Sequence, residues 1–209
     1  MYTTDFLRQL NSHSVPLIRL LTFFKQIPEF DGLNVDDKVT LIKFNLLPLL
    51  CINCTLSYRT ESDSFAESDT DIPWDPAALQ SVYGPDGYQD IRKIFDKFLY
   101  IAKYDQKIIQ LALITFVLTK GFAVTAEEPI LNDFRGVYRA QNYFTELLWK
   151  YMETVHGSEI AVQMFSNMIA HFMTWQILQV KLGEIISRNV SAANTNDISP
   201  FMKALLHIS

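Results

Sequence analysis

Residues 20–54 read LLTFFKQIPEFDGLNVDDKVTLIKFNLLPLLCINC, and this stretch decides the fold. An apolar run ends in a lysine at Phe23-Phe24-Lys25, and a turn containing Pro28 then carries Phe30 and Leu33. A helix is expected to start at Asn34, with Asp36 and Asp37 in its first turn, where the helix dipole favours negative charge. Beyond them the chain stays apolar on almost every face. A helix that is hydrophobic nearly all round belongs in the middle of a domain. Pro48 removes one backbone donor and is expected to divide this helix into 34–47 and 49–58.

Around this centre, composition sets the bounds. A chain of 209 residues with 49% hydrophobic residues can bury one sizeable core, so a single domain is expected. A net charge of −5 argues against nucleic-acid binding, which calls for a basic face. Cys51 and Cys54 sit three residues apart inside the apolar helix. They are expected to be buried thiols: a zinc site needs more ligands nearby, and free thiols point to the reducing cytosol or nucleus. No signal peptide leads the sequence, and the unbroken apolar runs fall short of the ~18 residues of a membrane span. A soluble intracellular domain is expected.

In order along the chain, Phe6, Leu10, Leu17, Leu20, Leu21 and Phe24 recur at helical spacing over 4–26. Pro16 is expected to bend that helix, with Ser12 or Ser14 capping a restarted second half. Residues 59–71 are polar and read as a loop by composition. Turn signals at 72–76 and 84–87 flank a short helix. Long helical patterns then cover 88–104, 106–119, 132–155 and 158–188, with Gly121 and Gly157 as C-terminal breakers. A polar linker leads to a short amphipathic segment, 200–208. No internal repeat is present, which argues against a solenoid.

Catalysis finds little support. The four histidines, His13, His156, His171 and His207, are scattered outside any catalytic or metal motif, and the seven glycines form no phosphate loop. No enzyme activity, metal or cofactor is expected. Binding chemistry is better represented. Lys25 ends one helix and Lys43 lies on the next; between them Leu21, Val35, Val39 and Ile42 can line a shallow apolar groove. Such a groove suits an amphipathic helix, and a lysine at its rim can bond that helix's last carbonyls.

The opening stretch resembles the signature of nuclear-receptor ligand-binding domains. The matching residues are Phe23-Phe24-Lys25, Pro28-Glu29-Phe30, Leu33, Asp37-Lys38 and Leu41-Ile42-Lys43, in register without a gap. Glu29, Lys38 and Phe24 depart from the usual Gly, Gln and Ala. The resemblance implies an all-α, three-layer antiparallel helical sandwich, with a small β-hairpin around 59–71 and the chain starting at the family's third helix. The zinc modules that bind DNA are absent, since two cysteines cannot supply their ligands.

The resemblance also assigns sites. The groove would take coregulator peptides of the Leu-x-x-Leu-Leu type, or corepressor peptides, and be closed by a C-terminal helix carrying Phe201, Met202, Ala204 and Leu205. Ala204 stands where the family has a glutamate that caps the bound peptide's N-terminal amides. Its loss should cost ~1–3 kcal/mol, one or two orders of magnitude in affinity. A receptor with weak activation, or one that prefers corepressors, follows from that.

An internal pocket for a small lipophile, a steroid or fatty acid, would be lined by Phe6, Gln9, Leu10, His13, Leu17 and Leu20 from one helix, and by Leu47, Leu50, Cys51 and Cys54 from another. Ser57 replaces an arginine that often anchors the ligand. Phe6, Phe98, Phe172 and Trp175 are large enough to fill the pocket instead. His171, Phe172 and Trp175 are expected as partly exposed anchors of a dimer interface, for a homodimer or a heterodimer with a retinoid X receptor. A nuclear location follows from the resemblance. Two alternatives stay open: an orphan domain with a filled pocket acting as a constitutive corepressor-binding or dimerisation module, and a non-signalling helical lipid carrier.

Overall fold

Every long apolar stretch of the chain is helical. A computed structural model describes residues 11, 14–59, 64–65, 76–120, 130–189 and 197–206. Among these lie eight helices: α1 (Ser14–Lys25), α2 (Pro28–Asp31), α3 (Val35–Cys54), α4 (Pro76–Tyr104), α5 (Gln106–Val117), α6 (Phe134–His156), α7 (Ser158–Asn189) and α8 (Pro200–Leu206). A single 3₁₀ turn, Thr55–Ser57, follows α3. Strand β1 (Tyr58–Arg59) then pairs antiparallel with β2 (Ser64–Phe65), Tyr58 opposite Phe65. The domain is all-α with this one small hairpin, which begins a residue before the expected 59–71.

Side-chain caps set several helix starts. Asn34 accepts the Asp36 amide at 2.8 Å, Asp105 accepts that of Lys107 at 2.9 Å, and Asp133 accepts that of Gly136 at 2.9 Å. Gly157, at φ +85°, separates α6 from α7 in a conformation that side chains with a Cβ rarely adopt. Gly84, at φ +73°, kinks α4, and Pro85 opens the resumed helix. The expected short helix and its long neighbour at 88–104 are therefore two arms of one kinked element.

Helix α3 lies in contact with α1, α4, α5, α7 and α8. Its Leu41, Leu46, Leu49 and Ile52 are fully buried, joined by Leu17, Phe24, Phe95, Phe98, Ile108, Phe116, Leu148 and Met168 from helices around it. By length and mean hydropathy (1.7) the stretch Val35–Ser57 is sufficient to cross a membrane. Here it is the core helix, packed against its neighbours along most of its length. Its buried polar groups bond other elements. Both carboxylate oxygens of buried Asp37 accept backbone amides ahead of α6, from Asn132 at 2.7 Å and Asp133 at 2.8 Å. The Asn45 amide donates to the Val117 and Thr119 carbonyls at 3.2 and 2.8 Å, closing the C-terminus of α5. The Trp175 indole N–H donates to the Pro48 carbonyl at 2.6 Å, tying α7 to α3.

These contacts correct three expectations. Pro48 does not divide the helix: α3 runs through it unbroken and ends at Cys54. The backbone bond that proline forgoes costs less than exposing so apolar a segment, and Trp175 bonds the turn at Pro48 itself. Pro16 is buried in the described part of α1. Ser14 is not a cap; its hydroxyl lies 3.3 Å from that of Ser199. Helix α5 stops at Val117 under the Asn45 amide, ahead of Gly121, which lies outside the described residues.

Asp37 makes the clearest stability test. Asp37→Ala removes two charge-assisted bonds and strands two backbone donors, so urea denaturation should show a loss of about 2–4 kcal/mol.

Candidate functional site

Helices α1 and α3 pack against each other, and each carries a stripe of exposed apolar residues leading to a lysine. On α1 the stripe is Ile18 (51% exposed), half-buried Leu21, and exposed Lys25. On α3 it is Val35 (68% exposed), Val39 (57% exposed), half-buried Ile42, and exposed Lys43. The spacings, i to i+3 or i+4 along each helix, keep each stripe on one face. Among the described residues neither Lys25 nor Lys43 has an ion-pair or hydrogen-bond partner. Lys38 between the stripes is engaged, bonding the Asp31 carbonyl at 2.7 Å and pairing with its carboxylate at 3.6 Å.

The remaining signature residues hold this face in place. Phe24 and Phe30 are buried with ring centroids 5.9 Å apart, Leu41 is fully buried, and Asp37 ties the start of α3 to the segment before α6. Their role is to fix the angle between α1, α2 and α3.

The C-terminal helix α8 packs on α3 with Met202 and Leu205 buried, Phe201 half-buried and Ala204 exposed. Its start is clasped to the head of α1. Asn11 donates to the Asp197 carbonyl at 2.8 Å and accepts the Ser199 amide at 2.9 Å. Ser199 in turn accepts the Met202 amide at 3.2 Å as an N-cap. Ser199-Pro200 is a pair suited to a helix start. Its partner, 188 residues upstream, left no local trace. Helix α8 contains no carboxylate; its one charged residue is Lys203.

Of the residues expected to line an internal pocket, Leu17, Leu20, Leu50, Cys51 and Cys54 are buried and Leu47 is half-buried. Phe6, Gln9, Leu10 and His13 lie outside the described residues. Burial pushes the Cys51 thiol well above the usual thiol range, with Cys54 adding to it. The Tyr83 phenol is pushed up to about 12, by burial and then by Cys51 beside it. Neutral and deeply placed, these thiols are ordinary core groups rather than nucleophiles. Phe172 stacks on Phe116 at 4.0 Å between ring centroids, and Phe98 is fully buried.

The expected dimer anchors need correcting. Phe172 (0% exposed) and Trp175 (3% exposed) face the chain's own core, because the Phe116 stack and the Pro48 hydrogen bond draw them inward. His171 is half-buried at the rim of a surface cleft of about 430 Å³ between α4 and α7, which none of the expected pocket residues lines. Among the described residues the large apolar side chains exposed on α7 are instead Val162, Met173 and Ile177.

A polar cluster missed in the sequence sits where α4 meets α5. The second Asp105 oxygen accepts the Tyr151 hydroxyl at 2.7 Å and lies 2.8 Å from His156 Nε2, joining the C-terminal end of α6 to the turn before α5. Burial raises the Asp105 pKa, but bonds from Tyr151, His156 and the Lys107 amide outweigh it and hold the carboxyl below its ordinary range. The same bond raises Tyr151. No metal-binding group of His, Cys, Asp and Glu occurs among the described residues.

Comparison of the sequence with protein-family models finds no match, and no curated protein matches it either.

Because the folded-state pKa of Asp105 is depressed, its contribution to stability is full above the unfolded carboxylate range. It is lost as pH falls through the folded value. A denaturation series from about pH 6 to 2.5 should therefore show a shallower acid limb for Asp105→Asn than for the parent chain.

Proposed function

We propose that this chain is a nuclear-receptor-type ligand-binding domain, a transcription-regulating module that receives the helix of a coregulator on the α1–α3 face. One observation carries the proposal: α8 is seated with Met202 and Leu205 buried, while the Ile18–Leu21–Lys25 and Val35–Val39–Lys43 stripes stay uncovered and neither lysine has a partner among the described residues. Large aliphatic side chains left in water beside free cations fit a partner helix that supplies leucines and the partial negative charge of its C-terminus. A three-layer sandwich is compatible with α3 lying in contact with five other helices. A nuclear location belongs to the same reading.

The missing carboxylate in α8 bears on which partner is favoured. With alanine at 204 the N-terminal amides of a bound Leu-x-x-Leu-Leu helix gain no charged acceptor from α8. Activation is then weak, and corepressor segments that do not need that contact compete better. For the interior, two occupants follow from the same fold: a small lipophile, or the chain's own side chains. The full burial of Phe98 and Phe172 and the Trp175–Pro48 bond favour the second, an orphan module whose groove works without a ligand.

Fluorescence polarisation with Leu-x-x-Leu-Leu and corepressor peptides tests the groove. Lys43→Glu should weaken peptide binding at least tenfold while leaving the melting temperature within a degree or two, since Lys43 is exposed. Ala204→Glu should tighten the Leu-x-x-Leu-Leu peptide about tenfold. Failure of both peptides to bind the parent chain and the Ala204→Glu variant overturns the receptor reading and leaves a helical carrier. Native mass spectrometry of the purified chain separates a lipid-loaded interior from a filled one.

A further inference from the structure

The cleft between α4 and α7 takes no part in the function proposed above, and its chemistry is graded from end to end. Partners along it run in opposite order on the two helices, with Tyr104 near His156 (ring centroids 4.9 Å apart) and Phe98 near His171 (6.1 Å). One end therefore holds Lys97 and His171, and the other Tyr104 and Ile160. Seven residues of helix separate the ends, about 10 Å. The floor is apolar, Ile101 and Met164 being buried.

The charge at the polar end is not cancelled. Asp96 also borders the cleft, but its carboxylate is engaged by Arg92 one turn earlier, at 3.0 Å. Among the described residues Lys97 has no ion-pair or hydrogen-bond partner. Lys97 and His171 line the same end of the cleft, and burial, then Lys97, lowers the His171 pKa, which favours the neutral imidazole. Along the rim Tyr100 is 70% and Tyr104 46% exposed, rings left in water beside an apolar floor. A cation with an adjacent imidazole at one end, and aromatic edges over an aliphatic floor toward the other, match an elongated molecule with one anionic end and a flat apolar body. The volume of about 430 Å³ lies within the range of small-molecule sites.

We infer that this cleft binds a small aryl carboxylate, its carboxylate on Lys97 and His171 and its ring system over Ile101 and Met164 between Tyr100 and Tyr104. The site shares no residue with the α1–α3 face, so it stands or falls apart from the coregulator reading.

The test is an NMR titration of the full chain, labelled at its methionine methyls, with 2-naphthoate and with its uncharged isostere 2-naphthylmethanol. Expected is a saturable shift of the Met164 methyl while buried Met152 and Met202 stay put. Affinity should fall at least tenfold in Lys97→Gln and for the alcohol, and stay unchanged in Lys43→Glu. No saturable shift, or a shift equal for acid and alcohol and indifferent to Lys97→Gln, overturns the inference. So does a dimer in sedimentation equilibrium that Tyr100→Arg dissociates, since a second copy then covers the cleft.

Discussion

The fold depends on the solvation of one helix. Most of helix α3 is apolar and is buried against five other helices, with the strip through Val35, Val39 and Lys43 facing water. Burial of this kind is non-directional and would by itself permit many arrangements. Direction comes from three polar groups spaced along α3: the Asp37 carboxylate, the Asn45 amide and the Pro48 carbonyl. Each is buried, each needs a partner, and each finds it on a different element, ahead of α6, at the end of α5 and on α7. A buried polar group without its partner costs more than the bond itself contributes, so these contacts select one packing among those the apolar surface allows.

That packing explains why the signature stretch matters more to architecture than to contact with a partner. Phe24, Phe30, Asp37 and Leu41 lock α1 and α2 onto α3, and only then do Lys25 and Lys43 sit on neighbouring helices. The Asn11–Ser199 clasp does the same for the C-terminus. It spans nearly the whole chain and fixes where α8 starts, so Met202 and Leu205 enter the core and the exposed stripes of α1 and α3 stay open. The proposed groove thus depends on bonds far from its surface.

The other side of the molecule is organised by the Asp105 cluster. Its two oxygens cap α5 and bond Tyr151 and His156, which ties the α4–α5 turn to the C-terminal end of α6. This junction adjoins the aromatic end of the α4–α7 cleft, where Tyr104 meets both His156 and the cleft wall.

Local patterning was enough to determine the helices themselves. The spacing of apolar residues, the cap Asn34 and the glycine at 157 place most elements within a few residues, since each effect acts over a turn or two of chain. The lysines and the alanine at 204 were legible as well, because surface residues need only be read in helical register. Where the sequence misled, a distant partner was responsible. Pro48 reads as a break until Trp175 bonds it, Trp175 and Phe172 read as interface anchors until Pro48 and Phe116 claim them, and the Asp105 cluster goes unread until Tyr151 and His156 converge on it. Such pairings lie 46 to 127 residues apart in the chain. No local periodicity encodes them, so only the close packing of the folded chain could decide which polar groups would meet.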